Sequence, residues 1–211
     1  MKILILKESN PNESRVALTP DLIAKYNKLG YEILLENGSG EKSHISDKIY
    51  QENGAKIVKD ATKEIANANI ILKVGAPNED DFKILENAKK DAILVGALNP
   101  YSDTKLAAKY EKIGVKAFAA ELFPRISRAQ NIDILSSQSN LVGYRAVIDG
   151  VYELNSAAPM MMTAAGTVTP AKVMILGAGV AGLQAIATAK RLGAVVSAFD
   201  VRAAAKEQVE S

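Results

Sequence analysis

The sequence predicts an α/β protein: an N-terminal α/β domain built on a parallel sheet over residues 1–125, then the start of a second α/β domain over 171–211. Three observations lead there. Short apolar runs alternate with helix-period segments at close spacing over residues 1–125, the pattern of a parallel sheet covered on both faces. Residues 172–200, KVMILGAGVAGLQAIATAKRLGAVVSAFD, read strand, glycine turn, helix, strand, acid. Between the two, residues 126–170 break the alternation with a polar linker loop and one long bridging helix.

In the N-terminal domain, Ile3–Leu6 is an apolar run followed by the polar, turn-rich KESNPNESRVALTP. Thr19 is placed to cap a helix with Pro20 in its first turn. Leu22, Ile23, Tyr26 and Leu29 then recur at helical spacing until Gly30. Tyr31–Leu35 and Ala55–Val58 read as strands, separated by a loop over 38–46 and a helix near Asp47–Asn53. A helix over Thr62–Asn67 leads into the strand Ile70–Val74, which Gly75-Ala76-Pro77 stops. Asp80–Asn87 is helical, with Phe82 and Leu85 inward. Ala92–Ala97 is a strand ended by Asn99-Pro100; Ser102 is placed to cap a helix through Lys112, and Val115–Ala119 is the next strand. This domain has no glycine fingerprint of its own and need not bind a nucleotide.

At the joint, Arg125, Arg128, Gln130, Asp133, Ser136, Ser137 and Gln138 crowd one short stretch. A helix over Ser139–Asn155 follows, with Leu141, Val142, Val147, Val151 and Leu154 as its apolar set. The stretch reads either as a hinge and cleft wall or as a solvated loop before a bridging helix. The Met160–Met162 run reads as packing. From Asn140 to Phe199 the formally charged side chains are Arg145, Asp149, Glu153, Lys172, Lys190 and Arg191 alone. Such a region is either buried or covered by other protein.

The stretch 172–200 carries the chemistry. Val173–Leu176 reads as a buried parallel strand. Gly177, Gly179 and Gly182 follow in GxGxxG spacing. The first permits the tight turn, the second leaves room for a pyrophosphate, and the third lets the helix pack close to the strands. On the helix Val180–Arg191, Ala181, Ala185, Thr188 and Ala189 can face a sheet, and its first N–H groups suit phosphate. Ala194–Phe199 is the second strand, and Asp200 at its end can accept from the ribose hydroxyls of NAD while repelling a 2′-phosphate. Arg202 qualifies that preference, because a nearby arginine can accommodate the phosphate. Strand, glycines, helix and acid in register favour a Rossmann NAD-binding domain over a plain glycine-rich turn. Such a domain needs about six strands. Two are present before a last helix begins near Ala203, so the domain is incomplete and the chain reads as truncated or as the first piece of a split protein.

Composition narrows the function. Of 211 residues, 48 % are hydrophobic, enough for a real core. The formal net charge is +2 and no basic stripe runs through the chain, which argues against nucleic acid. Cysteine is absent and His44 is the one histidine. Disulfides, thiolate chemistry and Cys- or His-clustered metal sites are thereby excluded, and no metal is expected. The N-terminal MKILILKESNPNESR turns charged too soon for a signal peptide. Residues 154–183 hold Pro159, Gly166, Pro170 and Lys172 and do not read as a membrane span. A soluble intracellular protein is the expectation.

Three blocks identify a family resemblance: PRISRAQNIDILSSQSNLVGYRAV (124–147), PMMMTAAGTVTPAKV (159–173) and GAGVAGLQAIATAKRLGAVVSAFDVRAAAKEQVES (177–211). With them the chain closely resembles, through essentially its whole length, the NAD(H)-binding alpha subunit of the proton-translocating NAD(P) transhydrogenases. The resemblance implies an N-terminal α/β domain beside a Rossmann NAD domain, in a homodimer. It implies hydride transfer between NAD(H) and NADP(H) held on a separate domain, coupled by a transmembrane subunit to proton translocation. In a bacterium it places the chain peripherally on the cytoplasmic face of the inner membrane. Family members continue beyond the equivalent of Ser211, finish the Rossmann sheet and send a late segment back to the first domain; their mobile tyrosine loop lies past this chain's end.

Carried over residue by residue, the resemblance gives Arg125 and Gln130 the nicotinamide and its carboxamide, and gives Asp133 and Ser136 the positioning of the ring and its loop. Gly177, Gly179, Gly182 and Asp200 become NAD ligands. No acid or base is implied, because direct hydride transfer needs two rings held in contact. Alanine dehydrogenases share the architecture. Arg15 and Lys73 resemble that family's substrate-carboxylate arginine and its lysine, but its catalytic histidine falls near Leu98-Asn99, where this chain has none. His44 is expected on a surface loop. A third reading is a non-catalytic, dimerising scaffold fragment.

Overall fold

The computed structural model describes residues 1–101 and 105–211; the cap placed at Ser102 lies outside the described residues. The chain divides into two compact units, Met1–Ile132 and Asp133–Ser211.

In the first unit the apolar runs become strands β1 (Lys2–Ile5), β2 (Glu32–Glu36), β3 (Lys56–Val58), β4 (Ile70–Leu72), β5 (Ile93–Gly96) and β6 (Lys116–Ala119). They form one sheet in the order β3-β2-β1-β4-β5-β6, parallel throughout. Side chains alternate across a strand, and the burial follows that period. Leu4, Leu6, Leu34, Ile71 and Leu94 face one core with Ile65, Phe82, Leu85 and Tyr110. Ile3, Ile5, Ile33 and Leu35 face the other with Ile23 and Tyr50. The helices supplying those partners are α1 (Pro20–Lys28), α2 (Asp47–Glu52), α3 (Ala61–Ile65), α4 (Glu79–Leu85) and α5 (Lys105–Ile113).

Local chemistry fixes the helix starts. In α4, Asn78 accepts from the Asp81 amide at 2.9 Å while Asp81 accepts from the Asn78 amide at 3.0 Å, a reciprocal capping box. Thr19 occupies the N-cap of α1 but makes no side-chain capping bond there, so Pro20 alone marks that start.

The second unit holds α6 (Ile134–Glu153), a hairpin of β7 (Met161–Thr163) and β8 (Gly166–Val168), then β9 (Lys172–Leu176), α7 (Val180–Arg191), β10 (Val195–Phe199) and α8 (Ala205–Glu210). Strands β9 and β10 pair in parallel, Lys172 opposite Val195 through Leu176 opposite Phe199. Helices α6 and α7 pack closely: a Cβ on Gly143 would overlap the Ala181 backbone. Val147, Ala185 and Ala189 form the small core, with Val173, Ile175 and Val196 against it.

Several expectations are corrected by the second unit. The long helix begins at Ile134, five residues before Ser139, because Asp133 caps it. Of its expected apolar set, Val147 is buried but Leu141, Val142 and Leu154 are exposed. The Met160–Met162 run does not pack: all three side chains are exposed, two of them on a hairpin that the sequence does not suggest. Nor is Val173–Leu176 buried on both sides, since Met174 and Leu176 point outward. Residues 140–199 are therefore poor in charge although many of their apolar side chains are exposed.

Candidate functional site

The glycine turn is built as its spacing requires. Gly177 ends β9 at φ +95°, a left-handed conformation that a Cβ would strain, and its N–H donates to the Phe199 carbonyl at 2.7 Å. Gly179 caps α7 with extended backbone and no side-chain cap. Nothing lies within 4 Å of where its Cβ would be, so a ligand can approach this backbone closely. Gly182 is the opposite case. A Cβ there would overlap the Gly177 carbonyl oxygen. The turn can follow this path only because the first turn of α7 carries glycine at 182, against the end of β9.

Asp200 closes the constellation. Its Oδ2 accepts from the Ala178 N–H at 2.7 Å, binding the end of β10 to the glycine turn. Oδ2 also accepts from Arg202 Nη2 at 2.9 Å, while Oδ1 accepts from Arg202 Nε at 3.0 Å and from the Arg202 amide at 2.8 Å. The guanidinium fork, then the two backbone N–H groups, hold this carboxyl far below the usual carboxylate range. The side chain of Asp200 is 10 % exposed and that of Arg202 60 %. A cavity of about 350 Å³ opens beside them, lined by Ala178, Phe199, Asp200, Arg202, Lys206 and Glu210 among others. That volume lies within the range of small-molecule sites. Gly177, Gly179, Gly182 and Asp200 are thus brought together, and they offer backbone room, helix N–H groups and a carboxylate suited to a phosphate-linked ribose.

The polar joint is divided between the units. Arg125 and Gln130 are exposed on the first unit, in a turn anchored by buried Ala129, whose N–H donates to the Ile126 carbonyl at 2.9 Å. Asp133 and Ser136 come together in the second. Asp133 accepts from the Ser136 amide at 2.9 Å and from its hydroxyl at 2.6 Å, which fixes the start of α6.

A second cluster sits at the sheet's switch point, where the order reverses between β1 and β4 and ligands of α/β sheets commonly bind. Lys73 is fully buried there. Its Nζ lies 3.1 Å from Asp81 Oδ2 and 3.7 Å from Glu8 Oε2, and donates to the Lys7 carbonyl at 3.1 Å. Glu8 accepts from the Val74 and Gly75 amides at 2.7 and 3.3 Å, and Ser9 donates to Asp81 at 2.6 Å. The ammonium is already neutralised from within the chain. Arg15 forks onto Glu13 at 2.8 and 2.6 Å. Asn99 has φ +51°, and Glu121 accepts from the amides of Leu98 and Asn99. His44 lies on an exposed turn at φ 59°. The role of Glu8 and Asp81 as partners of Lys73 has no local signal in the sequence. The Asp200–Arg202 fork does have one, an acid and an arginine two residues apart.

Among the described residues, no group of three or more His, Cys, Asp or Glu could hold a metal ion. No helix there is long and apolar enough to cross a membrane.

Comparison with known proteins shows the family. Residues 4–142 match the family model "Alanine dehydrogenase/PNT, N-terminal domain" and residues 146–211 match "Alanine dehydrogenase/PNT, C-terminal domain". The chain is 52 % identical over 213 residues to the first of the parts that make up NAD(P) transhydrogenase subunit alpha in Rhodospirillum rubrum, covering all of this chain and 56 % of that protein. Alanine dehydrogenase of Mycolicibacterium smegmatis is 31 % identical over 206 residues, covering 95 % of this chain and 54 % of its own length. Among solved structures, the transhydrogenase from Sinorhizobium meliloti superposes with a TM-score of 0.94 at 48 % identity, covering all of this chain and 62 % of that one. The chain therefore spans little more than half the length of these curated relatives.

Proposed function

We propose, for a chain that belongs to the alanine dehydrogenase/PNT family, that it is the NAD(H)-binding part of a proton-translocating transhydrogenase. The observation that carries this reading is the glycine turn with Asp200 tied to it through the Ala178 amide at 2.7 Å. Gly177 and Gly182 shape the turn, Gly179 leaves the backbone open to a pyrophosphate, and Asp200 accepts from the adenosine ribose. Bound NAD(H) supplies the hydride exchanged with NADP(H). The chain's own part is to bind, orient and exclude water. Arg125 and Gln130 hold the nicotinamide end, and Asp133 with Ser136 fixes the adjoining backbone by capping α6.

The same reading makes the protein a homodimer. Its further partners are an NADP-binding domain and a transmembrane subunit, and it sits peripherally on the cytoplasmic face of a bacterial inner membrane. Exposed apolar side chains on α6 and the hairpin, Leu141, Val142, Tyr144 and Met162 among them, are surface for such partners. An alanine-dehydrogenase activity is disfavoured by three observations. Lys73 is neutralised by Glu8 and Asp81, Arg15 is paired with Glu13, and no histidine stands near Leu98-Asn99, where the resemblance to alanine dehydrogenases would put the acid/base.

Calorimetric titration of the purified chain with NADH, with NADPH as control, tests the proposal. Selective NADH binding is expected. A folded chain that binds neither nucleotide would refute it in favour of a scaffold role.

A further inference from the structure

An ionised carboxylate offers about four lone-pair directions, two on each oxygen. At Asp200 all four are occupied: Oδ1 by the Arg202 amide and Nε, Oδ2 by the Ala178 amide and Arg202 Nη2. A ribose diol must donate to this carboxylate to be read by it, and it finds no free acceptor. Two of the four donors are backbone N–H groups fixed by the fold. The other two belong to one guanidinium, which also approaches the Ala178 carbonyl at 3.4 Å and is 60 % exposed. The guanidinium is the exposed partner of the pair, so it can rotate off into water while its charge stays solvated.

We propose that Arg202 is a displaceable occupant of the ribose site and sets its cofactor preference. Without ligand the guanidinium saturates Asp200. When a ribose diol arrives, the guanidinium swings off and the two lone pairs it covered accept from the 2′- and 3′-hydroxyls. Tethered two residues away, it then stands where it can take a 2′-phosphate in a forked pair. Arg202 acts through Asp200 as a positioning residue for NAD(H), and directly as a reader of phosphate for NADP(H). One side chain therefore lowers affinity for the first and raises it for the second. The other charged groups on this cavity, Lys206 and Glu210, are paired with each other at 3.7 Å and leave Asp200 to Arg202. The inference deepens the dinucleotide reading above and rests on it.

The test is titration of NADH and NADPH into the unsubstituted chain, Arg202→Ala and Arg202→Lys. Arg202→Ala is expected to bind NADH about two- to fivefold more tightly, because no guanidinium competes for the carboxylate, and to bind NADPH more weakly. Arg202→Lys, which keeps the charge without the fork, is expected to gain NADH affinity while retaining NADPH. The acid limb of NADH binding is expected to move to higher pH in Arg202→Ala, because Asp200 loses its strongest stabilising bond. Circular dichroism checks the fold of each variant, and Arg202→Lys carries the test should Arg202→Ala not fold. Weaker NADH binding in Arg202→Ala, or an unchanged NADH:NADPH ratio, would overturn the role of Arg202 alone. An unsubstituted chain that binds neither nucleotide would overturn the dinucleotide reading and this inference with it.

Discussion

Among the described residues Lys73 is the one cation of three buried charged side chains, and its removal makes a severe perturbation with a calculable size. In Lys73→Met, Glu8 and Asp81 face each other with no ammonium between them. Their nearest oxygens lie 3.7 and 3.1 Å from the same nitrogen, so they are at most the sum of those lengths apart, 6.8 Å. Two unit charges at that separation repel by about 2.4 kcal/mol at an effective dielectric constant near 20. Loss of the ammonium's own bonds adds to this, which brings the expected destabilisation to about 3–5 kcal/mol. For a unit of this size that corresponds to a fall in Tm of about 10–20 °C. Urea and thermal unfolding followed by circular dichroism read the change. Asp81→Asn on the Lys73→Met background removes one of the two charges while keeping an acceptor for Ser9, and should restore at least about 1 kcal/mol. A loss below about 1 kcal/mol in Lys73→Met, or no coupling in the cycle, would show that water or a mobile cation already screens the cluster.

Other outcomes follow from the second unit and the joint. Gly182→Ala forces a Cβ onto the Gly177 carbonyl oxygen and should cost about 1–3 kcal/mol while abolishing NADH binding; near-native stability with intact binding would show that α7 can shift at no cost. The Asp200 carboxyl is held below its unfolded value, so its contribution to stability is present above about pH 4 and is lost as pH falls toward the folded value. Asp200→Asn should therefore unfold with a flatter dependence on pH below about 4 than the parent, and parallel acid limbs would contradict the pairing. In a reconstituted transhydrogenase, Arg125→Ala should slow hydride transfer more than it weakens NADH binding. Stopped-flow traces with unchanged transfer rates would remove Arg125 from the nicotinamide site.

How much of the molecule is legible in the sequence depends on how local the determining interaction is. Helix α7 is readable to its ends because glycines bound it on both sides and its small residues keep one period. The strands of the first unit are each readable as apolar runs, yet their spatial order is not, since pairings such as Ile3 with Ile70 leave no local trace. The start of helix α6 is easily placed too late because Ser136, Ser137 and Gln138 look like loop residues, although Asp133 three positions before Ser136 is a cap signature. The hairpin β7–β8 escapes sequence reasoning because its three-residue strands carry no polar alternation and both their faces are exposed. At the site, the glycine roles follow from spacing alone. The saturation of Asp200 does not, because whether Arg202 forks back onto it depends on a rotamer.

The position of β1 bears on how the chain is made. It precedes the other strands of its sheet along the chain and is an inner one, with β2 on one side and β4 on the other. Its second partner, Leu72 opposite Ile5, is translated 67 residues later. At 5–20 residues per second this is a wait of about 3–13 s. Until β2 is made the nascent ILIL segment has no partner, and from then to β4 it is half paired and offers an open edge to other chains. Productive folding of the first unit is then a race between translation of residues 6–72 and capture of the open edge by another chain.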